Sequence, residues 1–136
     1  MASHGLCHKC RDVLACNRLH MRELTRISKA IADETRIRML KLLLEKDICV
    51  CEMHEIFPLS HSQVSRDLRA LMDAGFLRRW HDGRCVVYVA DRDSGNRYCR
   101  AILDVLADSF NDDPIICQAR QKLPEIIARQ VREKTR

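Results

Sequence analysis

Apolar residues between Leu19 and Leu44 recur at intervals of three and four, which is the period of an amphipathic α-helix. The stretch Asp33-Glu34-Thr35 interrupts this pattern with residues that favour helix N-termini, so we expect two consecutive helices rather than one. A shorter segment with helical spacing runs from Ile48 to Phe57. Pro58 is expected to end it, because the residue before a proline disfavours the helical conformation.

The next segment predicts a second helix followed by a β-hairpin. Residues 59–62 form a turn with candidate helix caps, and a helix anchored by Val64 and Leu68 runs to Gly75, a typical C-terminal cap. The apolar period then becomes two. Residues 76–81 and 84–90 alternate on either side of Asp82-Gly83, which predicts a two-residue hairpin loop.

Helical spacing returns in the last third of the chain. An apolar stripe runs from Tyr98 to Phe110, and Asp112-Asp113-Pro114 is expected to start a final helix that kinks or restarts at Pro124. The first 18 residues show no clear period. We therefore predict an N-terminal arm over residues 1–18 and one domain over residues 19–136, mostly α with a small β-hairpin.

Composition and charge narrow the class of protein. Apolar residues make up 46% of the 136 residues, which is enough for a packed core. The longest apolar run, Cys85 to Ala90, is far too short to span a membrane, and the N-terminus lacks a secretory pattern. Eight cysteines in such a chain indicate reduced thiols and a cytoplasmic location. The net charge of +5 permits an anionic partner.

Short helix, capped turn, polar helix and basic hairpin follow one another in the order of a winged helix-turn-helix. In that arrangement the second helix lies in the major groove, and the hairpin contacts the backbone or the minor groove. The polar face could instead be merely solvated, but this order of elements favours binding to double-stranded DNA. The predicted contacts are His61, Ser62, Gln63, Ser65, Arg66, Arg69, Arg79 and Arg84.

A charge of +5 is small for a monomer that binds DNA. A dimer would double the charge and would read two half-sites about 34 Å apart. The stripe from Tyr98 to Phe110, together with the helix of residues 19–31, is the predicted homodimer surface. The alternative is that both stripes belong to the core of one chain.

Cys49 and Cys51 lie in an acidic segment, residues 47–59, at the start of the short helix. We expect the N-terminus of this helix to lower the pKa of both thiols, and thiolates select soft metal ions. Ion binding would then reorient the short helix beside the DNA-reading helix. Zinc requires four ligands and a trivalent metalloid three, so the arm is expected to contribute. Of its cysteines Cys7, Cys10 and Cys16, we select Cys7 and Cys10 as ligands.

Other uses of the cysteines stay open. Cys49 and Cys51 could be buried structural thiols, and Cys85, Cys99 and Cys117 are expected in the core. The thiols could also form a redox switch. A small enzyme using the Cys7-x-x-Cys10 motif would need a surrounding βαβ unit, and no strand is predicted before this motif, so we predict no enzyme.

Four segments in fixed order resemble the ArsR/SmtB family of bacterial metal-responsive repressors. They are DETRIRML at 33–40, ICVCEM at 48–53, LSHSQVSRDL at 59–68, and AGFL at 74–77 before the Asp82-Gly83 hairpin. The resemblance covers about residues 20–110. It implies a homodimeric winged helix-turn-helix that represses its operator when empty and releases the DNA when an inducer binds.

The resemblance also bears on the inducer. The Cys-Val-Cys motif is similar to that of arsenite-sensing members, which often have a third cysteine where this chain has His54. Paired N-terminal cysteines resemble instead the cadmium- and lead-sensing members, in which the arm joins the Cys-x-Cys pair across the dimer. In the family, a second site on the dimer helix uses Asp and His ligands. Residues 95–110 contain no histidine, so we expect this second site to be absent. We expect As(III) or Sb(III) as inducer, with Cd(II), Pb(II) or Zn(II), or a redox signal, as alternatives.

Overall fold

Six helices and three short strands follow one another in the part of the chain that the structure, a computed structural model, describes. It describes the backbone of residues 13–134 and the side chains of residues 20–130. The elements are α1 (Val13–Ala30), α2 (Glu34–Glu45), β1 (Ile48–Cys49), α3 (Val50–Ile56), α4 (His61–Ala74), β2 (Leu77–Asp82), β3 (Cys85–Ala90), α5 (Arg97–Ala107) and α6 (Pro114–Lys134).

The predicted division of the first long helical segment is confirmed. The Asp33 carboxylate accepts a hydrogen bond from the backbone N–H of Arg36 at 3.0 Å, and so caps α2. Helix α1 begins at Val13, inside the segment that the sequence assigned to the arm. The final helix starts at Pro114 as predicted, but it continues through Pro124 without a restart.

A third strand, β1, is the main element that the periodicity did not predict. The segment 48–57 was expected to be helical throughout, yet Ile48 and Cys49 pair with Tyr88 and Val87 of β3. The antiparallel sheet has the order β1-β3-β2. A strand of two residues is too short to show a period, and its existence depends on a partner forty residues away.

The hairpin loop lies one residue later than predicted. Asp82 pairs with Cys85 at the end of the ladder, so the loop consists of Gly83 and Arg84 rather than Asp82 and Gly83. Gly83 has φ +62°. A type II′ turn requires a positive φ at the first of its two loop residues only, and glycine is the usual residue at that position.

The core lies between the six helices and one face of the sheet, and α1 contributes Ile27 to it. Its side chains include Met39, Leu40, Leu43, Ile48, Met53, Val64, Leu68, Leu71, Phe76, Tyr88, Leu103, Ile116 and Leu123. The stripe predicted on α5 is divided. Leu106 is buried, whereas Val105 and Phe110 are exposed, so this helix presents apolar groups both to the core and to its outer side.

Candidate nucleic-acid interface and thiol site

Helix α4 is held rigidly at both ends. The Ser60 hydroxyl accepts a hydrogen bond from the backbone N–H of Gln63 at 3.2 Å, and Gly75 ends the helix with a φ of +103°. Val64 and Leu68 are fully buried, so the inner face is anchored as predicted. The opposite face is open to solvent and carries His61, Ser62, Ser65, Arg66 and Arg69, with Gln63 half-buried.

A polar network not predicted from the sequence sets the orientation of α4 against α2. Asp67 is buried and accepts a hydrogen bond from the Gln63 amide at 3.1 Å, and its carboxylate lies 3.5 Å from the Arg36 guanidinium. Buried carboxylates need such partners. In the sequence, Asp67 lies between Val64 and Leu68, which are both buried. An acidic residue at such a position could have indicated a buried ion pair.

The β2–β3 hairpin adds further cations beside this face. Arg79 and Arg84 are exposed, and within residues 20–130 neither they nor Arg66 form an ion pair. Arg78, by contrast, lies 3.3 Å from the carboxylate of Asp91, and Arg69 lies 3.9 Å from Asp73. The three arginines without acidic partners are therefore available for phosphate or base contact.

Cys49 lies where β1 passes into α3 and is only 2% exposed. Its backbone N–H donates a hydrogen bond to the Glu52 carboxylate at 2.9 Å, which fixes the first turn of α3. Burial raises the pKa of the Cys49 thiol to about 12. The hydrogen bond from the backbone N–H of Glu52 lowers this pKa, whereas the Glu52 carboxylate and the Cys85 thiol raise it further. The prediction that the helix start would lower the pKa of Cys49 is therefore wrong, because burial outweighs the hydrogen bond from the first turn of α3.

Helix α3 is joined to the first residue of α4 by a stack of two imidazole rings. The ring centroids of His54 and His61 lie 3.8 Å apart, with an interplanar angle of 29°. The Nδ1 atom of His54 is buried and has no hydrogen-bond partner among the described residues. Cys51 lies one helical turn before His54 and is half-buried. A displacement of α3 would therefore move the His54 ring, which is stacked on His61 at the start of α4.

The sulfur donors fit a thiophilic ion, although they are not grouped as a finished site. Cys49 and Cys51 of the predicted ligand set are described, whereas Cys7 and Cys10, like the Cys16 side chain, lie outside the described residues. Within the described range, no three His, Cys, Asp or Glu side chains are grouped so as to hold a metal ion. Ion binding at Cys49 and Cys51 therefore needs a third donor and a movement of side chains.

The three cysteines expected in the core differ in environment. Cys99 is fully buried, its thiol donates to the Ala74 carbonyl at 3.3 Å, and burial raises its pKa to about 11, which confirms it as a core residue. Cys85 on β3 and Cys117 on α6 are only half-buried and do not belong to the core cluster, so the expectation that these two are core residues is wrong.

The segment from α2 to the start of β2 matches a known family model. Residues 33–79 match the model described as "Bacterial regulatory protein, arsR family". The arsenical resistance operon repressor of Staphylococcus aureus is 31% identical over 90 residues, which cover 66% of this chain and 79% of that protein. The chain belongs to the ArsR family. This family assignment places it among regulatory proteins rather than enzymes.

Other relatives differ in the metal resistance that their names state. The arsenic resistance transcriptional regulator ArsR1 of Pseudomonas putida is 40% identical over 51% of this chain and 57% of its own. A cadmium resistance regulatory protein CadC homolog of S. aureus is 31% identical over 51% of this chain and 58% of its own. The matched part thus spans less than two thirds of these two regulators.

Solved structures confirm the winged helix-turn-helix fold. Reduced HlyU from Vibrio cholerae has a TM-score of 0.58 at 22% identity, covering 70% of this chain and 96% of its own. The homodimeric winged helix-turn-helix DNA-binding domain of a possible ArsR-family regulator from Mycobacterium bovis has a TM-score of 0.57 at 18% identity, covering 66% and 80%. Among the described residues, none of the helices combines the length and apolar character needed to cross a bilayer.

Proposed function

We propose that this member of the ArsR family is a homodimeric repressor that binds operator DNA and releases it when a thiophilic metal(loid) binds. The observation that carries the proposal is the position of Cys49 and Cys51 at the start of α3, whose His54 stacks on His61 at the start of α4. An ion bound by the two thiols would act on the helix that supports the reading helix. Since its operator is chromosomal or plasmid DNA, the repressor works in the cytoplasm.

The exposed face of α4 and the hairpin are the proposed DNA contacts. His61, Ser62, Gln63, Ser65, Arg66 and Arg69 would face the major groove, with Arg79 and Arg84 at the phosphates or minor groove. Two chains of +5 give a dimer of +10, which supports binding to an inverted repeat with half-sites about 34 Å apart.

Arsenite or antimonite is the proposed inducer, with Cys49 and Cys51 as ligands and Cys7 or Cys10 as candidate third ligands. Three thiolates bound to As(III) form a neutral group, whereas three thiolates bound to a divalent ion leave a negative charge. A negative group beside the buried Glu52 carboxylate would be unfavourable. The names of two relatives also support arsenic, and the name of the CadC homolog supports cadmium as the second candidate.

The inducer is tested by titration of the protein–operator complex with arsenite, antimonite, Cd(II), Pb(II) and Zn(II), followed by fluorescence anisotropy of labelled DNA. We expect arsenite to release the DNA from the wild type but not from Cys49→Ser or Cys51→Ser. If no ion releases DNA, or if both variants respond like wild type, the proposal fails. Release by a thiol oxidant alone would favour the redox alternative.

The DNA contacts are tested separately by Arg66→Ala. We expect operator affinity to fall by about tenfold to a hundredfold, because a good arginine contact to a base contributes about 1–3 kcal/mol. Lys122→Ala removes an exposed charge from α6 and serves as the matched control. Equal affinities for the two variants would show that α4 does not face the DNA.

A further inference from the structure

Cys49 is buried on the side of the sheet that faces away from the main core. Its strand neighbour Ile48 points into the core, and successive side chains of a strand alternate between the two faces. Directly paired residues share a face, so Cys49, Val87 and Trp80 form a row across the three strands on the outer face. Trp80 is 43% exposed at the end of this row.

Cys85 stands on the same outer face. It precedes Val87 by two residues on β3, and residues two apart on a strand point to the same side. Because Val87 pairs directly with Cys49, Cys85 is the diagonal neighbour of Cys49, a relation in which side chains are within about 7–8 Å. The effect of Cys85 on the pKa of Cys49, secondary to that of burial, agrees with this proximity.

Cys51 is the third thiol close to this junction along the chain. It lies in the first turn of α3, which continues directly from β1, and both Cys51 and Cys85 are half-buried rather than enclosed in the core. Cys49 and Cys85 thus lie at the same end of the sheet, and Cys51 follows Cys49 by two residues in the chain.

We infer that Cys85 supplies the third thiolate of the inducer site, together with Cys49 and Cys51, in an arsenite complex formed within one chain. This inference rests on the proposed function and changes its ligand set. Arsenous acid, As(OH)₃, would react with three thiols to give As(S-Cys)₃ and three water molecules. Each S–H proton leaves with one hydroxide of arsenic, and no oxidation state changes.

Coordination of arsenic by Cys85 would also link inducer binding to the β2–β3 hairpin. Cys85 follows the Gly83–Arg84 loop directly, so three As–S bonds would tie the hairpin to the start of α3. The three side chains have to change conformation so that their sulfur atoms meet around arsenic, since no three donor side chains of the described residues are grouped as a metal site. Binding would therefore displace both α3 and the strand that carries the loop, and these two elements flank the DNA-reading face.

The test compares the full-length wild type with three variants by arsenic K-edge X-ray absorption and arsenite titration. The variants are Cys85→Ser, the arm variant Cys7→Ser/Cys10→Ser/Cys16→Ser, and the control Cys99→Ser. We expect three As–S bonds in the wild type, the arm variant and the control. Cys85→Ser should show two As–S bonds and one As–O bond, with at least tenfold weaker binding.

A second measurement does not depend on the folding of a variant. In the wild type, arsenite should protect Cys85 from alkylation together with Cys49 and Cys51, as read by peptide mass spectrometry. The fluorescence of Trp80, the single tryptophan, should change on binding. Three As–S bonds in Cys85→Ser, or unchanged alkylation of Cys85, would overturn the inference and leave the proposed function standing. Failure of the wild type to bind arsenite would overturn both.

Discussion

Asp113 shows how one side chain can hold two helices together. Its carboxylate accepts hydrogen bonds from the backbone N–H groups of Ile115 and Ile116 at 3.0 Å each, which caps α6, and it lies 3.3 Å from the Arg38 guanidinium of α2. The bond from Ile116 and then the pairing with Arg38 lower the pKa of Asp113. The ionised carboxylate therefore stabilises the fold at neutral pH.

We expect Asp113→Ala to lower the free energy of unfolding by about 1–2 kcal/mol at pH 7, the usual contribution of a helix cap. A lowered folded pKa means that this contribution is present above the ordinary pKa of aspartate and disappears as the pH falls through the folded value. The difference from wild type should therefore narrow in acid. Urea unfolding at pH 7 and pH 3.5 measures it, with the exposed neighbour variant Asp112→Ala as control. A pH-independent difference would contradict this account.

At the scale of elements, Lys41 links α2 to the end of α5. Lys41 is only 1% exposed, and its ammonium group donates hydrogen bonds to the carbonyls of Leu106 at 3.0 Å and Ala107 at 2.7 Å. These are carbonyls of the last turn of α5, which have no partner within the helix. A cation at this end also interacts favourably with the helix dipole.

Replacing Lys41 with methionine keeps the length of the side chain but removes the donor to the Ala107 carbonyl, whereas the Leu106 carbonyl keeps its hydrogen bond from the backbone N–H of Ser109. We expect Lys41→Met to lower the free energy of unfolding by about 1–3 kcal/mol, measured by urea denaturation. Lys122→Met makes the same change at an exposed position of α6 and should be nearly neutral. Equal stabilities of the two variants would mean that the contact with α5 contributes nothing.

Whether the sequence alone could predict an element depends on how far apart in the chain the residues that define it lie. The end of α4 depends on Ser60 and Gly75, and the start of α2 depends on Asp33, so local sequence was sufficient there. The loop register could not be predicted, because either Asp82-Gly83 or Gly83-Arg84 supplies a glycine, and the pairing of Asp82 with Cys85 decides between them. The same limit explains why the diagonal position of Cys85 relative to Cys49 was not predicted.

At the scale of the whole molecule, exposed apolar groups lie on two helices that pack against each other. Met21 of α1 is 70% exposed and Val105 of α5 is 67% exposed, with Leu24 also exposed on α1. Large apolar side chains grouped on a surface indicate contact with another protein. They agree with the homodimer that the proposed function requires.

We expect Val105→Glu to convert the dimer into a monomer, because a carboxylate would be buried at the centre of the contact without a partner. Analytical ultracentrifugation measures the change, and binding to a two-half-site operator should weaken with it. Ala128→Glu adds the same charge to an exposed position of α6 and should leave the dimer intact. A dimeric Val105→Glu variant would place the interface elsewhere.

The sequence by itself determined the order of the helices, the start of α2, both ends of α4, the presence of the hairpin and the resemblance to the family, because periodicity and caps depend on residues a few positions apart. Only the tertiary structure decided that Ile48 and Cys49 form a strand, that Lys41 is buried against α5, and that Cys85 stands beside Cys49. These relations join residues 36 or more positions apart. They arise from the packing of the whole chain, which no local pattern records.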